Sequence, residues 1–220
     1  MRPHPSTDLS EKAPGYYSVE RTNLVDRLPR PIGSALDIGC GTGGVGTLLR
    51  AAGVRRLVGI EIVEEAAEVA RSVYDEVLVG SAEELLADVD EAFDTIVSYD
   101  VLEHVYDPWS VLRAARAVAA PGATLHVSVP NARHFSLARD LVLRGTFGYT
   151  NWGHRDNTHI RWFTRRDIVA AVSAAGFSVV AAEPSPLPGP LARFGRGRGG
   201  AARLAAEFAA LQWYVLARVP

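Results

Sequence analysis

Hydrophobic positions along the chain fall into two alternating rhythms. Short aliphatic and β-branched runs at 34–38, 56–60, 76–79, 93–98, 124–129, 177–182 and 212–219 read as strands. Between most of them, apolar residues recur at three- and four-residue spacing and read as helices. One covers 16–28 and is closed by Pro29 and Pro31. The next puts Val45, Leu48, Leu49 and Ala52 on one face before Gly53 stops it, and a third covers 63–72. Asp107-Pro108 supplies an N-cap and a first-turn proline for a helix to about Ala120, which Pro121-Gly122 ends. Thr164-Arg-Arg-Asp167 is a capping box with Asp in place of Glu or Gln. Its helix buries Ile168, Ala171, Val172 and Ala175 and stops at Gly176. An alanine-rich helix precedes the last strand.

Strands alternating with helices at this spacing predict an α/β fold, a parallel sheet with helices on both faces. One stretch breaks the rhythm: residues 131–161 are rich in His, Arg, Asn and aromatics. A loop of that length in a compact domain is functional or disordered, and its composition favours function. The chain therefore divides into a polar, proline-punctuated tail over 1–15, expected to be disordered, and one domain over 16–220. Within that domain 131–161 is an insertion on the substrate side. The Pro/Gly-rich stretch 184–200 is a flexible loop.

Charge narrows the partners. With a formal net charge of −2, the chain has no whole-molecule field to draw in nucleic acid or an anionic membrane, so neither is expected. The segment 193–200, with two Arg-Gly steps, is too short for an RNA-binding tract and reads as loop. No uncharged apolar run approaches ~18 residues, and the first residues lack the apolar core of a signal peptide. Cys40 is the only cysteine, which excludes an internal disulfide and points to a reducing cytoplasm. A monomer or homodimer is expected.

The glycines after the first strand carry the first chemistry. Gly39, Gly41, Gly43, Gly44 and Gly46 let a ligand approach the backbone at a helix N-terminus. Gly41-x-Gly43-x-x-Gly46 also matches the dinucleotide fingerprint. Asp37 separates the readings. A carboxylate at the strand end would repel a pyrophosphate, but it suits the cationic amino acid end of S-adenosylmethionine. Glu61 follows the second strand, where a carboxylate can accept both ribose hydroxyls of either cofactor.

Asp37-Ile-Gly-Cys-Gly-Thr-Gly43 resembles the first motif of class I S-adenosylmethionine-dependent methyltransferases, and Gly59-Ile-Glu-Ile62 their second. Gly80-Ser-Ala-Glu-Glu-Leu85 resembles the segment that clasps adenine, with Ser81 where the family usually has Asp; Glu83 is then the alternative acceptor. The run from Phe93 through Tyr99 and Asp100 to Pro108 resembles the fourth-strand motif of the small-molecule branch. The resemblance covers about 16–183. It implies a Rossmann-like, seven-stranded, mostly parallel sheet with an antiparallel last strand. It also implies a cofactor site built from Tyr16, Tyr17, Asp37, Gly39, Cys40, Gly41, Gly43, Glu61, Ile62, Ser81, Ala82, Glu83, Tyr99 and Asp100. The cofactor is S-adenosyl-L-methionine and the partner a small-molecule acceptor.

Acceptor chemistry is sought after the strands. His104 closely follows the fourth strand and its pKa class suits proton removal. Glu103-His104 is also a metal-binding pair in some relatives, but one adjacent pair is thin, and no metal is expected. Residues 148–164 resemble an Asp-x-Thr-His-x-Arg-x-Phe-Thr signature of a subgroup linked to surface-glycan or secondary-metabolite pathways. Asp156, Thr158, His159, Arg161, Phe163 and Thr164 match it. His154 and His159 are further bases, and Asp156 could orient one of them. The expected reaction is methyl transfer to an oxygen or nitrogen of a small polar metabolite, such as a sugar or secondary-metabolite intermediate. Alternatives are a non-catalytic S-adenosylmethionine-binding scaffold or regulator, a nicotinamide oxidoreductase and an RNA methyltransferase. The last two lack a catalytic segment and a basic face, respectively.

Overall fold

The computed structural model describes Lys12 and residues 21–187 and 200–220. Seven strands form one sheet in the order β3-β2-β1-β4-β5-β7-β6. They are β1 (Ser34–Ile38), β2 (Arg56–Glu61), β3 (Glu76–Val79), β4 (Phe93–Tyr99), β5 (Ala119–Pro130), β6 (Ser178–Pro184) and β7 (Gln212–Arg218). Strand β7 runs antiparallel to both β5 and β6, and the other pairs are parallel. The expected sheet, with its antiparallel last strand, is what forms.

Alternation along the strands sends side chains to two layers. Leu36, Val58 and Ile96 join one core cluster, under α5 (Pro108–Ala117) and α7 (Arg165–Ala174). Ala35, Leu57 and Val97 join the other, which α1 (Thr22–Val25), α2 (Gly44–Ala51) and α3 (Glu64–Ala70) cover. Tyr74 belongs to the second layer and lies flat against two glycines. A Cβ at Gly46 would stand 2.4 Å from its ring, and one at Gly59 3.0 Å from it and 2.7 Å from Cys40 Sγ. These positions are close approaches that only glycine allows.

Four features depart from the sequence reading. The insertion holds a helix of its own, α6 (Phe135–Arg144), which was read as loop because only Leu137 and Asp140 of it are buried. Helix α5 ends at Ala117, so Pro121-Gly122 lies within β5 beside a register shift rather than at the helix end. After β3 a short helix α4 (Ala82–Leu85) and a 3-10 turn form, for which the sequence reading has no element. The proposed loop 184–200 begins with Pro184 in β6 and ends at Gly200, the first residue of α8 (Gly200–Ala209). The capping box at Thr164 and Asp167 forms in full.

Candidate active site

The strand order reverses at β1, with β2 on one side and β4 on the other, and a cleft of about 1500 Å³ opens above the strand ends there. Its first wall is the turn after β1. Gly39, Gly41 and Gly43 take positive φ values of 78°, 54° and 94°, which folds the backbone back toward the sheet. A Cβ at Gly39 would stand 2.2 Å from Val101.

Glu61 ends β2 and is almost wholly buried. Its Oε2 accepts the Gly41 amide at 2.8 Å and its Oε1 the Val63 amide at 3.0 Å. A carboxylate offers about four lone-pair sites, so both oxygens keep capacity for a diol. Asp37, also buried, accepts the Tyr74 hydroxyl at 2.5 Å. Burial pushes its carboxyl up to about 7, against the lowering effect of that hydrogen bond. A cationic ligand beside it would reverse the penalty.

Ser81 caps α4 through the Glu83 amide, and Ala82 lies beneath. The Glu83 carboxylate accepts the backbone amides of Asp107 at 2.7 Å and Tyr106 at 3.3 Å, so it staples the turn before α5. Tyr99 is buried and its hydroxyl meets His126 Nδ1 at 2.9 Å. Asp100 follows at φ 58°, a left-handed conformation unusual outside glycine. Its carboxylate is held by Ser128 at 3.1 Å, by Gln212 at 2.6 Å and by an ion pair with Arg21, which fixes the strained residue.

Of the residues expected at the cofactor, Asp37, Gly39, Cys40, Gly41, Glu61 and Ile62 line the cleft, as do Ser81, Ala82, Glu83, Tyr99 and Asp100. Gly43 does not; it caps α2, and Gly44 and Val45 line the wall in its place. Tyr16 and Tyr17 lie outside the described residues.

The opposite wall is the acceptor side. Asp156 is buried, and its Oδ1 accepts Lys12 Nζ at 2.6 Å, the Thr158 hydroxyl at 2.7 Å and the Thr158 amide at 2.9 Å. Burial alone would raise Asp156, but these bonds outweigh it and hold the carboxyl below its usual range. Lys12 was placed in a disordered tail; instead it is anchored on the insertion, bonding Asn151 O and Asn157 Oδ1 as well.

Thr158 also meets His104. His104 Nδ1 lies 3.1 Å from the Thr158 hydroxyl and 3.3 Å from the Thr158 carbonyl. A carbonyl only accepts, and the hydroxyl proton already points to Asp156. Nδ1 therefore carries the ring proton, and Nε2 holds the lone pair. Asp156 thus orients His104 through Thr158 rather than directly. Burial lowers the His104 pKa and keeps the ring neutral.

His159 stacks edge-on to His104, with ring centroids 4.8 Å apart, and its Nε2 lies 3.9 Å from Glu103 Oε1. Burial, then His104, drives its pKa to about 3. Glu103 is buried with neither carboxylate oxygen hydrogen-bonded among the described residues. Burial, with Asp100 adding to it, pushes its pKa well above the carboxylate range. Glu103, His104 and His159 each bring one donor atom within 4.8 Å of the others, a spacing that also suits a divalent cation. His154 stands apart from this group. Its Nε2 meets Ser136 Oγ at 3.0 Å, Ser136 meets His134 Nδ1 at 2.8 Å, and burial lowers His154 to about 4.

Sequence reading passed over Lys12, whose setting has no local motif, and gave Glu103 only a metal role. An Asp and a Thr two residues apart, before a His, was the available signal for the relay to His104.

A family model described as a methyltransferase domain matches residues 10–182. The chain belongs to this family, whose methyl donor is S-adenosylmethionine. It is 33% identical over 122 residues to a ubiquinone biosynthesis O-methyltransferase of Xanthomonas campestris, covering 53% of this chain and 51% of that one. An Azorhizobium caulinodans protein of the same name is 36% identical over 153 residues, 66% of this chain and 58% of that one. The chain thus spans little more than half the length of these relatives. Among solved structures, a methyltransferase of Thermotoga maritima, described as a possible histamine N-methyltransferase, superposes with a TM-score of 0.63 at 19% identity. That match covers 94% of this chain and 91% of that one. The 4+2 cyclase SpnF shares the fold at a TM-score of 0.59 and 22% identity over 90% and 80% of the chains. The glycine turn and the two buried acids fit the donor: the Gly39 position has no room for a side chain, and Asp37 has no cationic partner among the described residues.

Proposed function

We propose that the protein transfers a methyl group from S-adenosylmethionine to an oxygen of a small polar acceptor seated against His104, His159 and Glu103. The observation that carries the reading is the contact of His104 Nδ1 with Thr158, which argues for a neutral imidazole with its lone pair on Nε2, in the same cleft as the cofactor turn. Oxygen rather than nitrogen is favoured by the names of the relatives matched at 33% and 36% identity.

Bound S-adenosylmethionine supplies an electrophilic methyl carbon and leaves, once it has lost it, as a neutral thioether. Glu61 binds the ribose hydroxyls on its remaining lone pairs, and Asp37 faces the cationic end. The Asp156–Thr158 pair orients His104, whose Nε2 takes the proton of the acceptor hydroxyl as its oxygen becomes bonded to carbon. His159 packs against His104 and narrows its freedom, while neutral Glu103 offers a hydrogen bond to a polar group on the acceptor. Lys12 holds the insertion over the cleft and excludes water.

The second reading, a module that binds the cofactor without methylating, is favoured by one observation: the fold is shared with a cyclase. Conversion of labelled S-adenosylmethionine to S-adenosylhomocysteine, screened across hydroxylated metabolites, decides between them. Acceptor-dependent turnover lost in His104→Ala supports the reading; cofactor binding with no turnover on any acceptor supports the module. A parallel assay with a chelator separates proton transfer by His104 from use of the three donors to hold a cation.

A further inference from the structure

Two side chains on the acceptor wall take no part in the proton transfer. His154 and Arg155 line the same cleft as Glu103, His104 and His159. Arg155 Nε lies 3.4 Å from His154 Nε2, and Ser136 Oγ lies 3.0 Å from the same ring nitrogen. A guanidinium only donates, which argues for a His154 that accepts through Nε2 and carries its proton on Nδ1. Burial, with His134 and Arg155 adding to it, lowers His154 to about 4, so the ring is neutral. Arg155 is fixed on its other side. Its Nη1 donates to Asp140 Oδ2 at 2.9 Å, and a Cβ at Gly148 would stand 2.7 Å from that nitrogen. Arg155 Nη2 and His154 Nδ1 are left without a hydrogen-bond partner among the described residues. The Arg155 side chain is only 16% exposed, so its open edge is not a loose surface charge.

Charge decides what these two donors can hold. Asp156 and Lys12 neutralise each other, and burial keeps Glu103 protonated. Asp140 is buried and pairs with Arg139, Arg144 and Arg155, so one carboxylate answers three guanidinium groups. The wall is therefore short of negative charge at Arg155. An arginine with an open edge beside a neutral N–H donor suits an oxyanion, a carboxylate or a phosphate. His154 also lies close enough to His159 to add to the lowering of its pKa, which puts this pair beside the acceptor pocket.

We propose that His154 and Arg155 form an anion subsite, and that the acceptor carries a carboxylate or phosphate held there while its hydroxyl lies at His104. The proposal rests on the reading of this wall as the acceptor side and adds the chemical class of the acceptor. Asp140 is a positioning residue: it fixes the guanidinium through Nη1 and leaves Nη2 for the ligand.

Calorimetric titration of the full chain, saturated with S-adenosylhomocysteine, tests it. The probes are 3-hydroxyphenylacetate, 3-hydroxyphenyl phosphate and the methyl ester of the first. At least one anion is expected to bind, with the neutral ester about tenfold or more weaker. The two anions compared tell carboxylate from phosphate. Arg155→Gln should weaken anion binding by about tenfold or more and leave the ester unchanged. Asp140→Asn should not, because it frees Arg155 from its counter-charge, and anion affinity then holds or rises. An arginine that only pins α6 gives matching losses instead, since both variants break the same ion pair. Unchanged S-adenosylhomocysteine affinity in both variants shows folded protein and separates the subsite from the carboxylate of the cofactor. Loss of cofactor affinity in Arg155→Gln overturns the proposal. So does an ester that binds as well as the anions, failure of both anions to bind, or matching losses in the two variants. An anion that binds through Arg155 in a chain that methylates no acceptor refutes the proposed function and leaves the subsite standing.

Discussion

Lys12 Nζ and Asp156 Oδ1 lie 2.6 Å apart although 144 residues separate them, and both side chains are almost wholly shielded from water. Lys12 is the only lysine in the chain, so an amine-reactive reagent reads this contact directly, apart from the α-amino group. Asp156→Asn removes the buried carboxylate that accepts from the ammonium. Lys12 labelling, followed by peptide mass spectrometry, should then accelerate by about a hundredfold, since breaking a buried pair costs roughly 3 kcal/mol. An unchanged rate would mean that the pair does not hold this segment down.

Glu61→Gln keeps the size of the side chain but removes one of the two acceptor oxygens that hold Gly41 and Val63. The turn loosens and the ribose loses a charged acceptor. Affinity for S-adenosylmethionine in a calorimetric titration should fall by about a hundredfold, because hydrogen bonds to charged groups contribute roughly 1.5–3 kcal/mol each. A variant that binds as tightly as the parent would remove Glu61 from the cofactor site.

In the proposed mechanism the neutral form of His104 is the base, and burial lowers its pKa. Turnover with the cofactor saturating should therefore be flat at neutral and mildly alkaline pH. It should fall on the acid side as the ring protonates, at a pH below the usual histidine value. His104→Ala should lose about a hundredfold or more in kcat, along with that acid limb, and keep its cofactor affinity. A profile that retains the limb places the titrating group elsewhere.

Asp37 makes a prediction about stability. Its carboxyl is raised from 3.8 in the unfolded chain to about 7. Folding then binds an extra proton between these values, so stability is greatest below 3.8 and declines as pH rises through 7. Asp37→Asn abolishes the decline, and urea denaturation should show the variant gaining on the parent by on the order of 4 kcal/mol by pH 8. The cofactor should act in the opposite sense. Its positive charge favours the ionised acid, so affinity rises with pH and binding below neutrality releases a proton. A calorimetric comparison of buffers with different ionisation enthalpies measures that proton.

Strand positions were legible because parallel strands bury both faces and read as short apolar runs. The glycine turn, Asp37 and Glu61 were legible because their spacing is local. Helix α6 was not. Its Leu141, Val142 and Leu143 face water, so no buried stripe marks it, and a helix without one looks like loop. The Lys12–Asp156 contact and the grouping of Glu103 with His159 join distant segments, which no window along the chain reports. The hold of Glu83 on the amides of Tyr106 and Asp107 was hidden for the same reason, since it exists only once α4 and α5 are packed together.

The antiparallel strand β7 sits between β5 and β6, yet it is the last of the seven to be synthesised. Until residues 212–218 leave the ribosome, β6 has no neighbour and β5 has a bare edge. The same residues bring Gln212 to Asp100 and Tyr214 to the cleft. A nascent chain can therefore assemble β1 to β5 early, while the strained residue at the end of β4 waits for its final support. Completion of the catalytic wall is timed by the end of translation of this domain rather than by its start.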